Sequence, residues 1–173
     1  MKGDIMKVEP IGLPTADIKA SLDQIRRPLS IAIQRSSNGF NVGTIIRVAS
    51  AFLVKEIFLI GEEDWYRKAV MGLDKYENII ETPTEADFLK LVKERNAPLV
   101  AVERDDPRAQ NLWQTKLPSP CILLLGSENF GITKELADAS DMHVYIEMQG
   151  VGHSLPIVAA ASILMAEWTR QHL

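Results

Sequence analysis

Three stretches of this sequence bring together residue types that do chemistry. The first is Asn41-Val-Gly-Thr-Ile-Ile-Arg47, directly after Gln34-Arg-Ser-Ser-Asn-Gly-Phe40. Asn41 has the side chain to cap a helix, and Ile45, Ile46, Ala49 and Phe52 give that helix a buried face. Arg47 is left over. A guanidinium among apolar neighbours is drawn to a specific anion, and a structural salt bridge and a phosphate contact account for it equally. The second stretch is Gly126-Ser-Glu128-Asn-Phe-Gly131-Ile-Thr133. A glycine closing an apolar run lets a ligand approach the main chain, and N–H groups ahead of a helix hold a polar or negative group. No Gly-Lys-Ser/Thr follows, so this is not a Walker loop, and Glu128 suits a polar or cationic ligand better than a phosphate.

The third stretch is Ile146-Glu-Met-Gln-Gly150-Val-Gly152-His-Ser154-Leu155-Pro156. Ser154 is placed to cap the helix that follows, with Pro156 in its first turn, where a missing N–H costs little. Capping leaves the two glycines and His153 unexplained, which points to a pocket built from backbone, with His153 as a loop residue. The three histidines, His143, His153 and His172, show no metal-ligand or Ser/His/Asp spacing, so no metal is expected.

The elements that must position these stretches alternate. Apolar runs at 29–34, 56–60, 98–103, 121–126 and 143–148, and a weaker one at 78–81, read as strands buried on both faces. Helical patterns lie between them at 16–27, opened by Thr15 and Asp17, at 42–53, at 85–95 behind Thr84, and at 134–139 behind Thr133. The alternation predicts an α/β fold, a parallel sheet flanked by helices on both faces, with ligands beyond the C-terminal strand ends. The last helix, about 155–171, is apolar nearly all round. A sheet covers one side only, so a second subunit is expected on another, as in a homodimer.

The 173 residues, 46% of them hydrophobic, suit one compact domain, 1–173, with residues 1–28 as an N-terminal extension carrying a helix. A formal charge of −4 excludes a broad basic surface for nucleic acid, so RNA contact would need a local patch; Arg26, Arg27 and Arg35 are candidates for it. The single cysteine, Cys121, sits in an apolar run and reads as a buried hydrophobe. The first ten residues have no apolar core of a signal peptide, and no uncharged run reaches the ~18 residues of a membrane span. A cytoplasmic protein is expected.

Taken together and in this order, the three stretches resemble the motifs of the SpoU/TrmH branch of the SPOUT RNA ribose methyltransferases. Asn41 and Arg47 match the first motif, Gly126, Glu128 and Gly131 the second, and Ile146, Met148, Gly150, Ser154 and Leu155 the third. The resemblance runs from about Leu29 to the C-terminus. It implies a SPOUT-like parallel sheet with a C-terminal trefoil knot, a homodimer, and S-adenosyl-L-methionine as cofactor. By position it assigns Val102, Glu103, Gly126, Ile146, Met148 and Leu155 to the cofactor, with Glu103 on the ribose hydroxyls. It assigns Arg47, Asn41, Glu128 and Ser154 to catalysis. The activity implied is 2′-O-methylation of RNA ribose, with tRNA favoured over rRNA because only about 28 residues precede the first strand. An rRNA methyltransferase and a catalytically silent knotted RNA-binding module are the alternatives. Glu147 stands where the family usually has proline, Pro156 where it has asparagine, and Val158 where it often has serine.

Overall fold

The computed structural model describes residues 12–35, 38–152 and 154–173. Seven parallel strands form its sheet: β1 (Leu29–Gln34), β2 (Ile57–Ile60), β3 (Ile79–Thr82), β4 (Leu99–Val102), β5 (Gln110–Asn111), β6 (Cys121–Leu125) and β7 (Met142–Tyr145). Their order is β3-β2-β1-β6-β4-β7-β5. β1 and β6 are buried along their whole length, which is why both are apolar on either face. Helices α1 (Thr15–Ile25), α2 (Gly39–Ala51), α3 (Glu85–Arg95), α4 (Lys134–Asp138) and α5 (Ile157–His172) flank the sheet. One core joins α2 and α5 to one face through Ile45, Ile46, Ala161, Leu164 and Trp168. The other joins α3 and α4 to the opposite face through Phe88 and Leu136.

The 29–34 strand and the 85–95 helix appear with the bounds expected. Thr84 and Thr133 cap α3 and α4, accepting from the N–H groups of Asp87 and Leu136. Elsewhere the structure corrects the reading. The strand expected at 143–148 ends at Tyr145, because β4 stops at Val102 and β5 pairs only with Val144 and Tyr145. The helix expected at 16–27 ends at Ile25, ahead of Pro28, which disfavours helical backbone at Arg27. β5, two polar residues, carried no apolar signal.

Two expected caps are not caps. Asn41 lies inside α2, whose N-cap position belongs to Asn38, without a side-chain capping bond. Ser154 precedes α5 altogether. Pro156 takes the cap position there, and its carbonyl accepts from Ala159 and Ala160 at 2.9 and 3.1 Å. The apolar girth of α5 is shared between the sheet and α2, so part of the side assigned to a second subunit is covered within the chain. Ile157, Val158 and Ile163 stay half-buried.

Cys121 is buried, and burial pushes its thiol up to about 12, as fits a core hydrophobe rather than a nucleophile. No described helix is long and apolar enough to cross a membrane.

Two of the three arginines put forward for RNA are structural. Arg26, with a side chain 3% exposed, donates to Glu77 at 2.7 Å, to Asp23 at 2.6 Å and to the carbonyls of Val54 and Tyr76. Arg35 pairs with Glu81 at 3.3 Å. Removing one partner of the buried Arg26–Glu77 pair leaves an uncompensated charge. Arg26→Ala is therefore expected to lower stability by about 3–5 kcal/mol, read as a lower denaturant midpoint at an unchanged m-value.

Candidate functional site

In a parallel sheet all C-terminal strand ends share one edge, and ligands gather where the strand order reverses. The chain runs outward from β1 to β3, begins again at β4, and leaves a gap that β6 fills. The loops after β4, β6 and β7 enclose two adjoining cavities of about 210 and 480 Å³ at that edge. Val102, Glu103, Ser154, Leu155 and Ala160 line both. Ile146 and Met148 also line the smaller one, with Arg104, Asp105 and Tyr145, and Gly126, Glu128 and Pro156 are among those lining the larger. All six residues assigned to the cofactor by position thus line one or both of these adjoining cavities, together termed the hollow.

The loop after β6 is shaped by its own backbone. Residues 127–131 fold back as Ser127 and Gly131 exchange N–H···O bonds of 3.0 and 2.9 Å. A Cβ at Gly126 would overlap the Gly131 carbonyl carbon and the Ile132 nitrogen and stand 2.6 Å from the Gly131 oxygen. The chain's own close approach is enough to demand glycine here, and Gly126 also lines the larger cavity. Gly131 turns the loop at φ +67, a conformation that side chains rarely adopt. Against it lies the Glu103 carboxylate, whose oxygens accept from the N–H groups of Ile132 at 3.2 Å and Arg104 at 3.1 Å. Each of those oxygens keeps a further lone pair for a hydroxyl.

Asn41, freed from capping, donates to Glu128 at 2.7 Å, and Asn38 donates to the other carboxylate oxygen at 3.3 Å. The fold therefore brings together two residues that lie 87 apart in sequence. Ser154 reaches the same hollow from the loop before α5, and its hydroxyl makes no hydrogen bond among the described residues. Arg47 stands apart. It is exposed on α2, lines neither cavity, and has no hydrogen bond or ion pair among the described residues. Of its two readings, the salt bridge is not formed among the described residues. His153 lies outside the described residues. Glu147 lines neither cavity and accepts from Asn111 at 3.0 Å.

Sequence reasoning missed Asn38 and Ala160, neither of which stands out by type. It also missed the brace beneath the site: buried Gln34 donates to Glu85 at 2.9 Å and accepts from the Thr133 N–H at 3.2 Å, joining β1 to α3 and α4. The β4–β5 connection is pinned by Asp106, whose carboxyl is held well below the usual range by hydrogen bonds from Arg108, with His143 Nδ1 3.1 Å away.

The donor set fits a nucleoside cofactor bearing a positive charge. Val102, Leu125, Ile146, Leu155 and Ala160 offer apolar walls to a flat ring, Glu103 offers acceptors to ribose hydroxyls, and the Glu128 carboxylate complements a cation. No described group of three or more His, Cys, Asp or Glu could hold a metal.

Comparison with known proteins agrees with this geometry. The family model described as the SpoU rRNA Methylase family matches residues 28–166. An Escherichia coli O157:H7 protein named uncharacterized tRNA/rRNA methyltransferase YfiF is 27% identical over 148 residues, covering 82% of this chain and 42% of its own. The tRNA (guanosine(18)-2′-O)-methyltransferase of Escherichia coli K12 is 26% identical over 150 residues, covering 84% and 65%. The chain thus spans less than two thirds of the length of these relatives. The solved AdoMet-bound rRNA methyltransferase of Sinorhizobium meliloti superposes with a TM-score of 0.77 at 27% identity, over 88% of this chain and 60% of its own.

The close approach at Gly126 makes a sharp expectation. Gly126→Ala should displace the 127–131 turn and with it Glu128, so that proteolysis cuts this loop well before the parent's while Gly150→Ala, open to solvent, leaves the pattern unchanged.

Proposed function

The chain belongs to the SpoU rRNA methylase family, and on that footing we propose that it is an S-adenosyl-L-methionine-dependent RNA 2′-O-ribose methyltransferase. The observation that carries this reading is the convergence, on one hollow at the ends of β4, β6 and β7, of apolar walls with the Asn41–Glu128 pair. Val102, Glu103, Gly126, Ile146, Met148 and Leu155 would hold the cofactor. Bound there, it supplies a sulfonium methyl group for transfer to a ribose 2′-hydroxyl.

The protein's part is positioning and charge. As the 2′-oxygen gives up its proton and bonds to the methyl carbon while the methyl–sulfur bond breaks, leaving S-adenosylhomocysteine, the developing alkoxide and the sulfonium charge would neutralise each other, so a dry, ordered site helps most. Arginine, protonated throughout the working range, is a poor base, so Arg47 is assigned to the phosphate beside the target ribose and to the developing alkoxide. Its lack of a partner among the described residues supports that role. Asn41 orients the Glu128 carboxylate, and Ser154 offers a hydroxyl to the ribose.

The RNA is taken to be tRNA first, as in the name of the E. coli K12 relative, with rRNA, as in the name of the Sinorhizobium one, the alternative. The proposal includes one domain over 1–173, a homodimer contacting α5 at Ile157, Val158 and Ile163, and a cytoplasmic location. It also includes a C-terminal trefoil knot. The insertion of β7 between β4 and β5, which residues 103–109 join, is the strand order such threading would leave. A second reading, the silent RNA-binding module, is favoured by Pro156, which lines the hollow without a side-chain donor where the family has asparagine.

Incubation with methyl-labelled cofactor and total cellular RNA, followed by mapping of the labelled nucleotide, separates the readings. Transfer to a 2′-oxygen is expected. Arg47→Ala should abolish it while cofactor affinity stays within about twofold, since the residue lies off the hollow. Cofactor binding without transfer to any RNA would instead establish the silent module, and full activity in Arg47→Ala would remove that residue from the mechanism.

A further inference from the structure

Beside the Asn41–Glu128 pair lies a feature that catalysis does not use. Phe40, between Asn38 and Asn41, is 56% exposed, and Tyr66 is 49% exposed. Their rings stack at 6.1 Å between centroids and 26° between planes. The pair is built by backbone. The Tyr66 N–H donates to the Gly39 carbonyl at 3.0 Å. A Cβ at Gly39 would stand 2.6 Å from the Asp64 oxygen and 2.7 Å from the Trp65 Cα; one at Gly43 would stand 2.7 Å from the Tyr66 oxygen. Glycine weakens a helix relative to alanine, and α2 carries two of them where they seat the segment bearing Tyr66. The result is a rigid aromatic surface held open to solvent.

Cations border it. Arg47 follows Phe40 by seven residues, hence on the same face of α2 and roughly 10 Å along its axis. Arg67, next to Tyr66, lies over the Trp65 ring at 4.6 Å and is 65% exposed, with only long ion pairs to Glu81 and Asp74 at 3.5 and 4.0 Å. Exposed pairs of that length contribute little.

We propose that Phe40 and Tyr66 form a stacking platform for an unpaired RNA base next to the ribose that occupies the Asn41–Glu128 site. The inference rests on the reading of this chain as an RNA-modifying enzyme and names where the RNA sits. Bases splayed from loops stack on aromatic rings, and stacking tolerates any base. It also needs no positive surface. A chain of formal charge −4, whose Arg26 and Arg35 are spent on internal ion pairs, is short of such a surface. Arg47 takes a phosphate of the same strand one or two nucleotides from the stacked base.

The test is equilibrium binding of a single-stranded oligoribonucleotide carrying 2-aminopurine to the full chain, with cofactor affinity and sedimentation measured alongside. The parent should quench the fluorophore. Phe40→Ala and Phe40→Leu should each weaken binding about tenfold or more, and Phe40→Tyr should stay within about threefold. The salt slope should be unchanged in the Phe40 variants, because stacking releases no counterion, and should fall by about one in Arg47→Ala. Parental affinity in Phe40→Ala and Tyr66→Ala would overturn the platform, as would parental affinity in Phe40→Leu, which keeps apolar bulk without the ring. So would loss of RNA binding only in step with dissociation of an oligomer, which would make the pair a contact with a second copy. A parent that binds through Phe40 but transfers no methyl group would leave the platform standing and sink the methyltransferase reading. Transfer at an unchanged KM for RNA in Phe40→Ala would do the reverse.

Discussion

Everything at the site hangs from a strand set into a gap. β6 hydrogen-bonds to β1 on one side and to β4 on the other, with Leu29 opposite Cys121 and Val102 opposite Leu125. It therefore joins the half of the sheet that carries α2 to the half that carries the hollow, and its end delivers Gly126. From there the 127–131 turn folds onto Gly126 so closely that no side chain fits, and this packing sets Glu128 facing α2. A shift of the turn would part Glu128 from Asn41 and move the Ile132 N–H away from Glu103. Both the polar pair and the hollow's wall at Glu103 thus depend on one backbone contact.

The charged groups sort by the same geometry. Arg26 and Arg35 are taken up by Glu77 and Glu81, while Arg95 grips Glu56 with hydrogen bonds of 2.9–3.0 Å. On the α2 side Arg47 is exposed with no partner among the described residues, roughly 10 Å along the helix axis from Phe40. On the reading proposed above, such an economy suits an acidic chain: few free cations, and uncharged surfaces for the rest.

Much of the fold was legible in the sequence where burial and capping agree. β1 is apolar on both faces because it is enclosed on both, and α3 is bounded by Thr84 at one end and Asn96 in a left-handed conformation at the other. The hollow's lining was legible only through the order of three motifs, since Val102 and Ile146 look like any strand residues. Asn41 and Ser154 were misread as caps because an amide or hydroxyl ahead of a helix serves capping and site chemistry equally well. The glycine at 126 was noticed for the room it leaves a ligand, whereas the chain's approach to itself leaves no local signal. Arg26 and Arg35 looked like surface charges because Glu77 and Glu81 lie 51 and 46 residues away. Pairings over such separations belong to the fold, not to any stretch of sequence.

The proposed function turns on what the hollow beyond β4, β6 and β7 holds. The direct measurement is a crystal structure of the chain grown with saturating S-adenosylhomocysteine. The account predicts density for the nucleoside between Val102, Gly126, Ile146, Met148 and Leu155, with ribose oxygens within hydrogen-bond distance of Glu103. Density at another site, or none with the ligand in excess, would contradict it.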